Sequence, residues 1–278
     1  MNTREEAEDI LRRIAQEDDA AIDLAEGALA LAALDRPRVG LGRYRDHLAA
    51  LVSDVRTVVH DVRERTLESC AAAVNTVLFN RHGYAGDSLT YDDMQNANLI
   101  RVIDRKKGLP VALGILFLHI ARAQGWQAHG VNFPGHFLVS LEVAGERAIL
   151  DPFAGGTVRQ TDELRALLKS ATGREAELEP HHYAPMANRD VLLRLENNIK
   201  LRQLRAGSEG AALATLNAML LFAPRKAELW QEAGTINARL GNLKAAIDAL
   251  EHALALGTGH AERYQVAALL QSLRTRMN

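Results

Sequence analysis

A histidine and an aspartate carry the clearest chemical signal in this sequence. His136 opens an alternating apolar stretch in the run PGHFLVSLEV, and Asp151 closes the next apolar stretch in the run AILDPF. If the chain turns back at Gly145–Glu146, the two side chains lie at the same end of a small sheet. A carboxylate that orients an imidazole prepares it to act as a general base. The same two residues could instead form a structural hydrogen bond, because an Asp before a Pro commonly starts a turn.

A buried helix and three short strands are predicted to position this pair. Leu109–Pro110 begins the helix with proline in the favoured first turn, and nearly every residue from Val111 to Ala123 is apolar. A helix that is apolar on all sides is a buried helix. Three strands are predicted after it, at Gln127–Phe133, at His136–Val143 with alternating apolar residues, and at Arg147–Asp151.

The first 80 residues are predicted to be entirely helical. Apolar residues at helical spacing indicate two helices over residues 4–34, one over Tyr44–His60 and one over Leu67–Phe79. Asp18 and Asp19 are expected to cap the second of these helices. A further short helix, Asn96–Arg105, is expected to end in a run of cations and a C-cap glycine, Gly108.

From Asp190 onward the chain contains an internal repeat. Three residues align with three others at a spacing of 34 residues: Ala212 with Ala246, Leu216 with Leu250, and Leu220 with Leu254. The segment AELWQEAGTINARLGNLKAAIDALEHALAL has its Trp, Ala-Gly, Leu-Gly and Ala residues at the spacings of a tetratricopeptide repeat, in which small residues let paired helices approach closely. Asn237 is expected to line the groove of this repeat. The charged segment 171–188, with Pro180 and Pro185, is predicted to connect the two parts of the chain.

The bulk composition excludes several classes of protein. The chain has 278 residues, of which 47% are hydrophobic and 24% charged, as in soluble globular proteins. A net charge of −2 gives no basic footprint for nucleic acid or for an anionic membrane. A single cysteine excludes an internal disulfide. Because the sequence shows neither a signal peptide nor a membrane-spanning run, we expect a cytoplasmic protein that binds neither nucleic acid nor membrane.

The chain resembles the SirB-type family of the transglutaminase-like superfamily. The resemblance rests on the stretches VLFNRHGYAGDSLTYDD, RKKGLPVALG, VNFPGHFLV and LDPFAGG, together with the tetratricopeptide-like tail. It covers the chain from about Ala28 to its end. It implies that His136 maps onto the catalytic base, that Asp151 maps onto the residue that orients it, and that a nucleophilic Cys should begin the central helix.

That cysteine is absent from this sequence. The resemblance places the nucleophile at Pro110, Val111 or Ala112, and none of these residues carries a thiol or a hydroxyl. The only cysteine, Cys70, lies in an earlier predicted helix and is interpreted as a small buried apolar residue. The resemblance therefore implies a fold and leaves the reaction open.

We predict an α+β fold, with a transglutaminase-like (papain-like) core domain at residues 1–175 and an all-α tetratricopeptide-like domain at residues 188–278. Within the core, residues 1–80 are expected to be helical and residues 81–156 to contain the central helix and the antiparallel strands. The expected function is that of a non-catalytic binding or scaffold protein that engages a protein partner through its helical repeats. The alternative is a hydrolase or acyl-transfer enzyme that uses His136 and Asp151 with a nucleophile that the sequence does not reveal.

A metal site is a further alternative for the same residues. His129, His136, Asp151 and the pair His181–His182 include side chains that bind zinc. No close ligand spacing on one helix supports such a site. We therefore expect no metal and no cofactor.

Overall fold

A buried helix packed against a four-stranded antiparallel sheet forms the centre of the fold. The structure, a computed structural model, describes residues 3–61, 64–173, 175–257 and 260–277. The helices are α1 (Thr3–Ile14), α2 (Leu24–Leu34), α3 (Gly42–His60), α4 (Leu67–Asn75), α5 (Leu99–Arg105), α6 (Pro110–Ala123), α7 (Thr161–Thr172), α8 (Asn188–Arg205), α9 (Glu209–Phe222), α10 (Ala227–Arg239), α11 (Leu243–Leu256) and α12 (His260–Met277). The strands are β1 (Ala85–Gly86), β2 (Lys107–Gly108), β3 (Gln127–Val131), β4 (Leu138–Val143), β5 (Glu146–Asp151) and β6 (Thr157–Val158).

The chain divides into two compact units, and the division falls inside α8. Unit 1 contains Asp18–Leu195 and the residues up to Ala7, whereas unit 2 contains Glu8–Glu17 and the residues from Glu196 onward. Unit 1 holds α6 and the sheet, and unit 2 holds α9 to α12. The domain limits drawn from the sequence, 1–175 and 188–278, stay a prediction. Residue 174 of the predicted connection lies outside the described residues.

The sheet of unit 1 has the strand order β3-β4-β5-β6, all antiparallel. The β4–β5 hairpin turns at Ala144 and Gly145, which both have positive φ angles, 53° and 82°. Positive φ at both central residues is the geometry of a type I′ two-residue hairpin turn. The turn therefore lies one residue before the predicted Gly145–Glu146, and Val143 pairs with Glu146.

Strand β4 does not alternate between buried and exposed residues as the sequence pattern predicted. Its first four residues, Leu138–Leu141, are all buried. Helix α6 packs against the strand. Leu138 also joins an apolar cluster with Leu164 and Leu168 of α7. Because apolar side chains cover both sides of β4 at this end, the periodicity of a half-exposed strand is lost.

Two aspartates cap helices, but not in the predicted way. The carboxylate of Asp23, rather than that of Asp18 or Asp19, accepts the first N–H groups of α2, at 2.9 Å from the nitrogen of Ala25. Asp19 instead caps α8, because its carboxylate oxygens accept the backbone N–H groups of residues 188 and 189 at 2.7 and 2.9 Å. A side chain that is distant in sequence thus satisfies the free N–H groups at the start of α8.

The predicted helix Leu67–Phe79 is α-helical only as far as Asn75. A π-helix, Thr76–Arg81, continues it, and the N–H of His82 donates to the carbonyl of Val77 at 2.9 Å. The segment that follows pairs β1 with β2 in parallel, Ala85 opposite Lys107. π-Helical turns are rare in proteins overall, and many of those known lie at functional sites.

Unit 2 bears out the internal repeat. Helices α9 and α11 each have 14 residues and start 34 residues apart. A Cβ atom added at Gly234 of α10 would lie 2.6 Å from Leu250 of α11, so only glycine permits this approach of the two helices. Within the described residues, no helix is long and apolar enough to cross a bilayer.

Candidate functional site

His136 and Asp151 lie together at one end of the sheet. His136 sits in the bend before β4, and Asp151 is the last residue of β5. The imidazole Nε2 is 3.0 Å from Asp151 Oδ1, with the His side chain 21% exposed and the Asp side chain 2% exposed. The distance suits a hydrogen bond, although the angle of approach is unfavourable for one. The structure thus brings together the two residues that the sequence singled out.

The Asp151 carboxylate is surrounded by donors. Oδ1 accepts the backbone N–H groups of Phe153 and Ala154, at 3.0 and 3.3 Å, and so caps a 3₁₀ turn. Oδ2 accepts Nη2 and Nε of Arg159, at 2.7 and 3.2 Å. Burial alone would raise the pKa of Asp151, but the contacts with His136 and Arg159 outweigh burial and lower this pKa below its ordinary value. Asp151 is therefore a buried anion held by several donors.

Arg159 is a site residue that sequence reasoning missed. It follows β6, and its guanidinium also contacts Glu163 of α7 at 3.2 Å. Its bonds to Asp151, followed by those to Glu163, raise the pKa of Arg159 against the effect of burial. No motif marks this arginine, because the pairing depends on the two-residue strand β6 returning beside β5.

Close packing of Phe137 fixes the backbone of His136. The Phe137 ring fills the space where Cβ atoms at Gly114 and Gly130 would lie, at 2.3 and 2.9 Å from those positions. Arg194 donates to the carbonyl of His136 at 2.7 Å, and its guanidinium lies 5.6 Å from the centre of the Phe137 ring. Two glycines and one arginine therefore hold the bend in which His136 sits.

Aromatic rings lie beside the imidazole. The Phe153 ring meets the His136 ring edge to face, with 6.4 Å between centroids. The Tyr91 ring meets Phe153 in the same way at 5.7 Å, and Tyr91 is 40% exposed. A Cβ atom at Gly86 would lie 2.6 Å from Phe153, so this glycine lets the Phe153 ring approach β1. The exposed part of the site is thus aromatic, which favours binding of a partly apolar group.

The beginning of α6, where the resemblance places a nucleophile, is apolar and closed. Pro110, Val111 and Ala112 are all buried. The described cysteine, Cys70, is fully buried in α4, and this burial raises the pKa of its thiol. A thiol that stays protonated and inaccessible is a poor nucleophile.

The histidines considered as metal ligands do not gather around His136. Nδ1 of His182 accepts the N–H of Glu179 at 2.9 Å, and Nδ1 of His181 lies 3.2 Å from the Glu179 carboxylate. His129 lies on β3. Among the residues the structure describes, no group of three or more His, Cys, Asp or Glu side chains could hold a metal ion.

A second polar cluster in unit 1 was not predicted. Nε2 of His47 lies 2.8 Å from the Tyr84 hydroxyl and 3.1 Å from Lys106 Nζ, which donates to the same hydroxyl at 3.2 Å. His82 lies edge to face with His47 and contacts Asp54 at 2.7 Å. Lys106, with a left-handed φ of 58°, ends α5 in place of the predicted Gly108.

Electrostatics keep the central imidazole of this cluster neutral. Burial, followed by the electrostatic interactions with Lys106 and His82, lowers the pKa of His47 to about 4. Burial also lowers the pKa of Lys106 and raises that of Tyr84. The cluster is therefore a network of buried and half-buried groups around a neutral histidine, whereas the site at the end of the sheet surrounds the buried anion of Asp151.

Comparison with known proteins assigns both parts of the chain to families. Residues 42–197 match the model of the transglutaminase-like superfamily, and residues 199–271 match a tetratricopeptide repeat. The chain is 34% identical over 212 residues to a UPF0162 protein of Vibrio cholerae serotype O1, which covers 76% of this chain and 77% of that protein. It is 30% identical over 249 residues to a UPF0162 protein of Xylella fastidiosa strain Temecula1, which covers 87% of each. A shorter match, 36% identical over 81 residues, is to human F-box only protein 21, and it covers 29% of this chain and 13% of that protein.

These matches confirm the α+β fold with a helical-repeat tail that the sequence predicted. They also agree with the motifs on which the resemblance rested, since the matched core spans both His136 and Asp151. The chain belongs to the transglutaminase-like superfamily, and within it to the UPF0162, or SirB-type, proteins.

Proposed function

We propose that this chain is a non-catalytic binding protein that holds a protein partner through its tetratricopeptide repeats. The observation that carries the proposal is the buried apolar start of α6. Pro110, Val111 and Ala112 leave His136 without a neighbouring thiol or hydroxyl on that helix. Covalent catalysis needs a nucleophile within reach of its base, so the core retains the base and its carboxylate without the group that they would activate. Residues 199–271, by contrast, match a tetratricopeptide repeat.

A groove in unit 2 is the surface on which we expect the partner to bind. It encloses about 370 Å³ and is lined by one residue of α8 and six of α10: Leu204, Glu228, Gln231, Glu232, Thr235, Ile236 and Arg239. Repeat proteins present such concave surfaces to their ligands. Asn237, expected in this groove from the sequence, is instead 8% exposed and donates to the carbonyl of Ala233, so it is a structural residue.

A photo-crosslinking experiment tests this proposal. A photoreactive side chain at Gln231, inside the groove, should capture one discrete partner from an extract of the source cells, whereas the same group at the exposed Asp248 of α11 should not. The charge reversal Glu228→Lys should reduce the captured amount about tenfold, since a misplaced charge at an interface costs more than 1 kcal/mol. Asp248→Lys makes the same charge change outside the groove and should leave capture unchanged. Equal capture at both positions would argue against the groove.

A second candidate function is hydrolysis or acyl transfer by His136 and Asp151. It is favoured by the 3.0 Å contact between them and by the lowered pKa of Asp151, which keeps the carboxylate ionised beside the imidazole. A panel of activated esters, amides and thioesters tests it, with His136→Gln as the variant. Turnover that disappears in His136→Gln, while the variant unfolds at the wild-type urea concentration, would replace the binding proposal with the enzymatic one.

We also propose a cytoplasmic location. The proposal rests on the single cysteine of the sequence and on its state as a buried free thiol. Fractionation of the source cells, followed by detection with an antibody against the chain, tests it. Recovery with the membrane or secreted fraction would contradict it.

A further inference from the structure

A cavity of about 480 Å³ lies in unit 1 beside the last two strands of the sheet. Its walls come from β5, β6, the start of α7 and the segment that includes Leu178 and Tyr183. Its lining includes Arg147, Ile149, Arg159, Arg165, Leu178 and Tyr183. Of its lining residues, Arg159 also binds Asp151 in the site described above, and neither His136 nor Asp151 lines the cavity.

The charge of the cavity has one sign. Three arginines line the cavity, and its lining, as far as the chain is described, contains no Asp or Glu. The charge of Arg159 is compensated by its contacts with Asp151 and Glu163. No acidic residue of the cavity lining faces Arg147 or Arg165. Two positive charges in a recess raise the local potential for an anion.

The geometry of these two arginines differs. Arg147 donates to the carbonyl of Tyr183 at 2.7 Å, and its guanidinium lies 6.0 Å from the centre of the Tyr183 ring. The guanidinium of Arg147 is therefore held in place at the cavity wall. Arg165 is exposed on α7, and no ion pair of this residue occurs within the described part of the chain. Arg165 can thus turn towards a ligand without breaking a contact.

The floor of the cavity is apolar and fixed by the core. Ile149, Leu178 and Tyr183 pack onto a buried cluster formed by Val131, Phe133, Leu138, Leu164 and Leu168. Leu164 belongs both to this cluster and to the cavity wall. Side chains anchored in a core keep their positions, so the recess exists before a ligand arrives.

We propose that this cavity binds a carboxylate that carries an apolar body, either a free organic acid or the C-terminus of a peptide. Arg147 and Arg165 bind the carboxylate, because the planar guanidinium matches its two oxygens. Ile149, Leu178 and the ring of Tyr183 cover the apolar body. The site shares no residue with the repeat groove, so this inference stands or falls separately from the proposed function.

Titration calorimetry of the full chain at low ionic strength tests the inference. The probes are phenylacetate, a short peptide that ends in Leu-Leu with a free carboxylate, and the same peptide with a C-terminal amide. The carboxylate probes should bind and the amide should not. Binding of phenylacetate would identify a free acid as a sufficient ligand, and binding of the peptide acid alone would identify a chain terminus. If neither carboxylate binds at about 10 mM, the inference is wrong, since a millimolar dissociation constant already corresponds to weak binding.

Matched variants locate the bound carboxylate. Arg165→Gln and Arg147→Gln should each weaken binding about tenfold, because each removes charge-assisted hydrogen bonds. Arg225→Gln removes the same charge from an exposed position in unit 2, outside the cavity, and should leave binding unchanged. Binding that weakens equally in all three variants would show a general charge effect and would overturn the assignment.

Discussion

The network around Asp151 and the network around His47 both lie in unit 1, and they solve the problem of burial in opposite ways. At the end of the sheet the buried group is the carboxylate of Asp151, 2% exposed and ionised. Between α3 and α5 the acidic group, Asp54, is 44% exposed, whereas the buried group is the phenol of Tyr84, 2% exposed. The first network holds a buried carboxylate, Asp151, whereas the carboxylate of the second network, Asp54, is partly exposed to solvent.

The surroundings explain this difference better than the residue types do. Two backbone N–H groups and Arg159 donate to Asp151, so its charge stays favourable in spite of burial. Around His47, burial disfavours the charged imidazole, and the neighbouring Lys106 and His82 add to this effect. Donors therefore stabilise the anion at the first site, whereas burial and the positive charge of Lys106 disfavour a proton on His47 at the second.

The largest effect is expected from Asp151→Ala. The change removes the buried one of the two carboxylate partners of Arg159, together with the cap of the 3₁₀ turn. It should lower the free energy of unfolding by about 3–5 kcal/mol, as for a broken buried ion pair. Urea unfolding followed by circular dichroism measures it. Asp151→Asn keeps a side-chain oxygen that can accept the N–H groups of the turn, so its loss of unfolding free energy should be smaller. Equal losses in the two variants would show that the charge of Asp151, and not its cap of the turn, stabilises the site.

The charge of Asp151 also predicts a pH dependence. Because the pKa of Asp151 is lowered in the folded state, its contribution is complete above the ordinary carboxyl pKa of about 4 and is lost as pH falls through the lower folded value. The difference in unfolding free energy between wild type and Asp151→Asn should therefore shrink as the pH falls below about 4. A difference that stays constant over this range would mean that the carboxylate is not the ionised partner of Arg159.

The next effect concerns how the first network is held. Gly114→Ala places a methyl group 2.3 Å from the Phe137 ring, so the ring must move and stability should fall by about 1–3 kcal/mol. In NMR spectra the ring signals of His136 should shift, whereas those of His47 should not. Gly42→Ala is the control, because a Cβ atom there has no neighbour within 4 Å. Unchanged His136 signals would show that Phe137 does not position the imidazole.

The two networks also differ in how much of them the sequence could predict. The contact of His136 with Asp151 depends on one tight hairpin between two neighbouring strands. The local sequence pattern therefore predicted that the two residues are close, and it misplaced the turn by one residue. Lys106 and Tyr84, by contrast, meet His47 from 59 and 37 positions away along the chain. Such contacts depend on how helices pack, and no local periodicity encodes them. For the same reason Arg159 and Arg194 were missed at the first site.

A smaller effect is expected from the neutral imidazole of the second network. The pKa of His47 is about 4 in the folded chain, below the ordinary 6.5. Stability from this group is thus complete above about pH 6.5 and is lost as pH falls towards 4, by about 1–2 kcal/mol for a partly exposed group. The facing groups Lys106, His82 and Asp54 remain in His47→Gln, which should remove this part of the pH dependence. NMR titration should show a His47 ring that stays neutral at pH 6, and an ordinary titration curve would contradict the prediction.

The smallest effect is expected from Tyr84→Phe, which separates the hydroxyl of the second network from its ring. The change removes a group that lies 2.8 Å from His47 Nε2 and 3.2 Å from Lys106 Nζ. It keeps the buried ring, and with it the cation–π contact of Lys106 at 4.4 Å. Because His47 and Lys106 remain 3.1 Å apart, each keeps a polar neighbour, and the loss in unfolding free energy should be only about 1 kcal/mol. Tyr264→Phe, at a side chain that is 80% exposed, should cost nothing measurable in the same urea titration. A loss for Tyr84→Phe as large as that for Asp151→Ala would mean that the hydroxyl supports a charge inside this network too, and the contrast between the two networks would no longer hold.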